Sequence, residues 1–396
     1  MAHFPAKKSK SSHHEKPRLV FFLGAGFSHS ISEKIPVGRK LFAKVFEKVG
    51  MNSNEYKRLT DILRTIFPRH TLNDLSDGDQ ASQLFEIFLS VLEYAKNRET
   101  RGWLSFSQSD LVQIWDLVVA AVAAVLRYEH SGYGNYSRGK IGKLLGVISD
   151  CAERCENVSV ITTNYDLIAD KIVSRWHDKR LGYSNSPDPP TDLRRFQYGV
   201  CVRNIWRIQK NSSSRDDRYS EKWRRNRKLE IFKLHGSTNW AYCKKCRGLD
   251  LSLSRLEVRE IFNRGLRPKC VEGCGTEYEW VIVPPVSDKN YGTYKLLIDV
   301  WEKAEQVLSE AHRVVFIGYA VSSIDSKVLN MLLRTRAECR QGNRNPWEYI
   351  VFDRDPDVLE RFKTYFGSPE IQVDAAKFSI SNFMRDYGDQ VCTMPQ

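Results

Sequence analysis

The chain has no apolar run of the roughly 18 residues that a membrane-spanning helix needs. Its longest, Leu117 to Leu126, is far shorter and rich in Ala and Val. No apolar core follows the basic residues near the N-terminus, so a secretory signal is not expected and a cytoplasmic location without membrane contact is. Cysteine is too sparse for a disulfide-built scaffold, with nine in 396 residues. Cys151, Cys155, Cys201, Cys339 and Cys392 read as ordinary thiols, the first two packed on one helix face. A complete G-x-G-x-x-G fingerprint is also missing, because no third glycine follows Gly24 and Gly26 at the required place.

What remains is a globular composition, 41% hydrophobic and 28% charged, in a chain longer than one hydrophobic core usually serves. A main domain with attached modules is expected. The net charge of +13 comes from two segments: residues 1–18 contribute +4 and residues 194–228 contribute +9. Nucleic-acid binding, if present, therefore belongs to these appendages and not to the fold. Trp206, Tyr219 and Trp223 interleave with Arg and Lys in the second segment, a pattern that suits base stacking and equally a solvated surface insertion.

Residues 1–17 lack the apolar content to fold and are expected to form a disordered basic tail. The run Leu19 to Leu23, ending in Gly24, reads as a buried strand. From Glu55 to Arg127 the apolar spacing is helical, as in Leu84, Phe85, Phe88, Leu89 and Leu92, and in Val112, Ile114, Trp115, Val118 and Val119. Strand-like runs return at Val158 to Thr162, Leu229 to Leu234, Val281 to Val283, Arg313 to Ile317 and Tyr349 to Phe352. Alternation of strands and helices predicts an α/β fold: a Rossmann-like parallel sheet with helices on both faces, a large helical insertion and a small zinc-ribbon module. The expected division is 18–50, 140–240 and 281–380 for the Rossmann-like domain, 51–139 for the helical insertion, 194–228 for the basic insertion and 241–280 for the zinc module. Parallel sheets bind ligands at the carboxyl ends of their strands, where the following motifs fall.

Gly24-Ala25-Gly26-Phe27-Ser28 follows the first strand; its glycines permit a tight turn and close backbone approach to a phosphate, helped by a helix N-terminus. It is equally a plain strand-to-helix turn. Asn164 and Asp166 follow a strand ending in two threonines and can meet a sugar or cap a helix. His235 precedes Gly236 at another strand end, where an imidazole can accept a proton near neutral pH. Cys243-x2-Cys246, 23 intervening residues, then Cys270-x3-Cys274 is zinc spacing; four thiolates leave no open position, so the metal is structural.

Together these motifs resemble those of the sirtuin family. The resemblance implies NAD as substrate, Gly24, Ala25, Gly26 and Ser28 lining its phosphates, and Asn164 orienting the nicotinamide ribose or the attacking water. It further implies His235 as catalytic base and Asp166 at the nicotinamide end. Gly318-Tyr319 followed by Ser322 and Ser323 is similar to the loop that sirtuins place against adenosine, and Asp353, ending a strand, can take ribose hydroxyls.

Departures from protein deacylases of the family are specific. Thr163 stands where they carry Gln, Pro36-Val37-Gly38-Arg39 replaces Pro-Asp-Phe-Arg, and Val281 to Pro285 lacks the Phe-Gly-Glu-type continuation of the acyl-peptide groove. The Gly-Ala-Gly-Phe-Ser and Thr-Thr-Asn-Tyr-Asp motifs and the helical insertion resemble instead the bacterial antiphage branch, which implies NAD hydrolysis to nicotinamide and ADP-ribose. That branch implies an oligomer or a defence-system partner protein. A deacylase or ADP-ribosyltransferase, and a non-enzymatic NAD or ADP-ribose sensor contacting nucleic acid through 194–228, are the competing expectations.

Overall fold

A computed structural model of the chain describes residues 18–33, 35–36, 41, 43–45, 54–69, 81–97, 106–128, 140–155, 157–170, 172–173, 198, 202–209, 212–214, 229–252, 269–270, 272–283, 294–321, 325–341, 345–369 and 391. The expected tail at 1–17, Val37-Gly38-Arg39, Ser322 and Ser323, Pro284-Pro285, and most of 194–228 lie outside them.

Five strands form one wholly parallel sheet: β1 (Arg18–Leu23), β2 (Asn157–Thr162), β5 (Leu229–Lys233), β9 (Arg313–Ile317) and β10 (Glu348–Phe352). Their order is β10-β9-β1-β2-β5. Near-continuous burial of Leu19 to Leu23 and Arg313 to Ile317 is the signature of strands covered on both faces. The chain starts at central β1, proceeds outward through β2 to β5, then returns to the other side for β9 and β10. The order reverses between β1 and β9, and open α/β sheets take their ligands beyond the carboxyl ends of strands at such a reversal.

Helices α1 (Ala25–Ile31), α5 (Lys140–Arg154), α6 (Lys295–Glu310), α7 (Ser326–Gln341) and α8 (Pro356–Phe366) connect or follow these strands. α5 packs on β2, and α6 packs on β5, β1 and α7. α8 starts with Asp355 as N-cap, its side chain accepting from the Asp357 amide, with Pro356 in the first turn. Between α1 and α5 come α2 (Asn54–Ile66), α3 (Ala81–Asn97) and α4 (Gln108–Tyr128). Phe88, Leu89, Leu92, Ile114, Trp115, Val118 and Val119 bury a helical stripe, while Val112 is exposed.

A second sheet has the order β4-β3-β7-β6-β8, from β3 (Val202–Gln209), β4 (Ser212–Ser214), β6 (Gly236–Cys243), β7 (Gly248–Ser252) and β8 (Glu279–Ile282). Here the structure corrects two expectations. Val281 to Ile282, grouped above with the parallel strands, pairs antiparallel with β6 and belongs to this sheet. The basic segment 194–228 contributes two of its strands, β3 beside β7 and β4 beside β3. α4 lies against β6 and β8, so the helical stretch rests on the second sheet. Cys151 also departs from the ordinary-thiol reading: it is disulfide-bonded.

Candidate functional site

The parallel sheet delivers one candidate residue or turn from each of its five carboxyl ends. Gly24 follows β1, Asn164 follows β2, His235 follows β5, Gly318 follows β9 and Asp353 follows β10. Among the described residues, no other edge of the sheet gathers motif residues in this way.

The first turn interlocks with the loop after β9. The Gly24 amide donates to Ile317 O at 3.1 Å and the Gly26 amide to Gly318 O at 2.9 Å. A Cβ on Gly24 would stand 2.4 Å from Gly318 O and 2.6 Å from the Tyr319 Cα; one on Gly318, which has φ +61°, would stand 2.1 Å from the Phe27 nitrogen. Glycine is therefore required so that two backbones can touch. The two glycine amides expected to face a phosphate are bonded to the Ile317 and Gly318 carbonyls instead, while Ala25 and Gly26 themselves are exposed. The Tyr319 side chain is turned into the core against Phe22 and Phe316, so at the strand end only its backbone is left for contacts. Val321 continues this loop at φ +49°, a conformation that β-branched residues rarely adopt.

Ser28 is buried, and its hydroxyl links the other two motif residues. Asn164 Nδ2 donates to Gly24 O at 2.8 Å and to Ser28 Oγ at 2.9 Å. With both amide hydrogens committed, the orientation of Asn164 is fixed and its Oδ1 is the atom left to accept from a ligand. Thr162 Oγ1 donates to Leu23 O and accepts from the Asn164 amide, tying the loop to β1. Asp166 acts as a cap, accepting from the Ile168 amide at 2.9 Å. Burial pushes its carboxyl up, while the Lys233 ammonium and a Ser28 hydrogen bond act in the opposite direction.

His235 is 3% exposed, and the Leu234–His235 backbone is held by three hydrogen bonds. The Leu234 amide donates to Thr162 O, the Val283 amide donates to His235 O, and Trp301 Nε1 donates to Leu234 O at 2.9 Å. Gly236, at φ +81°, follows because a Cβ there would lie 1.9 Å from Val281 O. The imidazole has the Tyr165 ring at 6.1 Å and the Trp301 ring at 6.5 Å between centroids. Its Nε2 is 3.5 Å from Asp325 Oδ1.

Beneath the loop lies a buried polar network that no sequence motif exposed. Lys233 Nζ donates to Asp170 Oδ2 at 2.7 Å and to the Asp166 carbonyl. The Tyr198 hydroxyl donates to Asp170 Oδ1 at 2.5 Å, and burial holds that phenol far above its ordinary range. The Lys233 and Asp170 side chains are 0% and 1% exposed. Their legible signal was Lys233 itself: a lysine in a strand reading as buried needs an acid partner.

Asp353 stands further along the edge, where its Oδ1 accepts from the Asp355 amide at 3.0 Å and burial pushes its carboxyl up. It holds no contact to the Asn164 and His235 group among the described hydrogen bonds.

The four cysteines converge at the far end of β6. Sγ–Sγ distances are 3.7 Å for Cys243–Cys274, 3.6 Å for Cys246–Cys270 and 3.2 Å for Cys270–Cys274. All four lie within 4.8 Å of one another. Thiolates at about 2.3 Å from a tetrahedral metal stand about 3.8 Å apart, so the donor set fits structural zinc. Burial resists ionisation of Cys270, but hydrogen bonds from Cys274, the Glu272 backbone, Tyr278 and Cys243 outweigh it and pull that thiol down to about 6. Cys274, through its bond to Cys270, is pushed up to about 12.

Fold and site thus define an α/β protein with Asn164 and His235 at the carboxyl edge of its parallel sheet and a four-cysteine cluster fit for structural zinc on a second sheet. Neither a protein-family model nor a curated protein matches the chain. Solved structures similar to it include Sir2 proteins. A Sir2 homolog in complex with NAD gives a TM-score of 0.43 at 13% identity, over 95% of this chain and 90% of that one. Sir2 with a p53 peptide and NAD+ gives 0.41 at 11% identity, over 95% and 94%.

Proposed function

We propose that the chain is an NAD glycohydrolase that cleaves NAD to nicotinamide and ADP-ribose, acting as an antiphage effector that depletes NAD. The observation that carries this reading is the arrival of Gly24, Asn164, His235, Gly318 and Asp353 at the carboxyl ends of five neighbouring parallel strands. A dinucleotide is long enough to use such an edge from end to end.

In this reading the Ala25–Gly26 corner meets the phosphates, Asp353 takes the adenosine ribose hydroxyls, and the Gly318–Tyr319 backbone flanks them. Asn164 Oδ1 accepts from the attacking water or a ribose hydroxyl, while Ser28 and Asp166 keep that amide in place. Water adds through its oxygen to the anomeric carbon as nicotinamide leaves with the bonding electron pair. His235 takes the proton that the water sheds. General-base assistance of this kind is typically worth about 10²–10⁴-fold, with placement supplying much of the remainder.

A protein deacylase is the competing reading, and one observation weighs against it. Both backbone groups of Val283, where sirtuin deacylases offer a peptide groove, are already used: its amide donates to His235 O at 2.9 Å and its carbonyl accepts from the Tyr165 hydroxyl at 2.5 Å. An incoming strand must displace them to pair there. Chromatography of NAD incubated with purified protein separates the readings. Nicotinamide release without any peptide supports hydrolysis; strict dependence on an acyl-lysine peptide overturns it.

A further inference from the structure

One acidic side chain near the proposed base belongs to none of the motifs. Asp325 immediately precedes α7, and its Oδ1 lies 3.5 Å from His235 Nε2. The pair brings together the ends of two distant segments, the β5–β6 turn and the start of α7, and the His235 partner is 3% exposed with Asp325 at 17%. In so enclosed a place a carboxylate beside an imidazole decides which ring nitrogen carries the proton.

We infer that Asp325 is the positioning residue of His235, holding the proton of the neutral imidazole on Nε2 so that Nδ1 is the basic nitrogen. The kinetic part of this inference rests on the hydrolase reading above; the pairing itself does not. When Nδ1 takes a proton from water, the imidazolium that forms faces a carboxylate across 3.5 Å, which lowers the energy of the charged form. Asp325 does not itself accept that proton.

Among the described residues, other charged and titratable groups on the surrounding elements have contacts of their own. Tyr165, on the loop after β2, directs its hydroxyl to Val283 O. Lys233, two residues before His235, is paired with Asp170. Lys327 of α7 places its ammonium 4.4 Å from the Trp301 ring centroid, where burial makes it easier to deprotonate and Glu305 counters that effect. Of these groups, Asp325 is the acid at ion-pair distance from the imidazole.

The test uses the full chain as wild type, Asp325→Asn, Asp325→Glu and His235→Ala. Nitrogen NMR of histidine-labelled protein, with His235 assigned by its loss in His235→Ala, reads the tautomer and the pH at which the ring ionises. Nicotinamide release from NAD is followed against pH in parallel. Wild type is expected to show Nε2 protonated and Nδ1 unprotonated, and Asp325→Asn to populate both tautomers and ionise at lower pH. The acid limb of kcat/KM then moves to lower pH, kcat falls by about tenfold or more, and KM changes little. Asp325→Glu restores part of the wild-type profile. An unchanged His235 tautomer and ionisation in Asp325→Asn overturns the inference, whether or not NAD is hydrolysed. If the tautomer shifts as expected but wild type releases no nicotinamide, the pairing stands and the hydrolase reading falls.

Discussion

Replacing Gly24 by Ala is expected to destabilise the free protein by about 2–4 kcal/mol, although the backbone there is in an ordinary extended conformation, φ −105°. No conformational strain enters, so the cost is one of space. The new methyl would lie 2.4 Å from Gly318 O and 2.6 Å from the Tyr319 Cα, both main-chain atoms that can yield only by moving a whole loop. Opening these contacts by about 1 Å is an overpacking cost of about 1–3 kcal/mol. The same movement stretches the Gly24–Ile317 and Gly26–Gly318 hydrogen bonds, each worth about 1 kcal/mol. Gly26→Ala is the informative comparison. Its methyl would stand 3.0 Å from the Gly318 Cα, tight but relieved by a few tenths of an ångström, and alanine gains about 1 kcal/mol of helix propensity within α1. Near-zero change is expected there. Gly146→Ala in α5, with open space around it, should stabilise by about 0.5–1 kcal/mol. Urea unfolding of the three variants without ligand provides the measurement. Equal stability of Gly24→Ala and Gly26→Ala would refute the interlocked-turn account.

Three further outcomes follow from the same geometry. Lys233→Met should cost about 3–5 kcal/mol, because it strands the buried Asp170 carboxylate, and Asp170→Leu added to it should recover part of the loss; urea unfolding of single and double variants reads this. Purified protein should carry stoichiometric zinc by elemental analysis, and Cys270→Ser should lose the metal and lower the unfolding midpoint of the second sheet. Asp353→Asn should stabilise the protein near about pH 7 and do nothing near about pH 3, because burial raises the Asp353 carboxyl in the folded state, so folding binds a proton that the unfolded chain has released and stability falls as pH rises through the carboxylate range.

Much of the parallel sheet was legible because strands buried on both faces announce themselves as apolar runs. Leu19 to Leu23 and Arg313 to Ile317 could hardly be read otherwise. β8 was misplaced for the same reason: Val281-Ile282-Val283 is as apolar as its neighbours, and composition carries no record of strand direction. β3 was hidden inside a charged segment, where Arg203 and Arg207 mask the alternation. At the site, the glycine turn was singled out, yet the backbone that Gly24 meets is that of Gly318, 294 positions away, and such a contact leaves no local trace. Asp170 and Asp325 escaped notice because each acquires its meaning from a lysine or histidine far away in sequence. The cysteine clip was readable in full, since metal-ligand spacing is itself a local pattern.

The central claim is tested most directly by incubating NAD with wild-type protein, His235→Ala and Asn164→Ala and measuring nicotinamide and ADP-ribose by chromatography. Wild type is expected to release both in the absence of any peptide, with a loss of at least about 10²-fold in each variant and the fold retained. Near-wild-type release from both variants would contradict it.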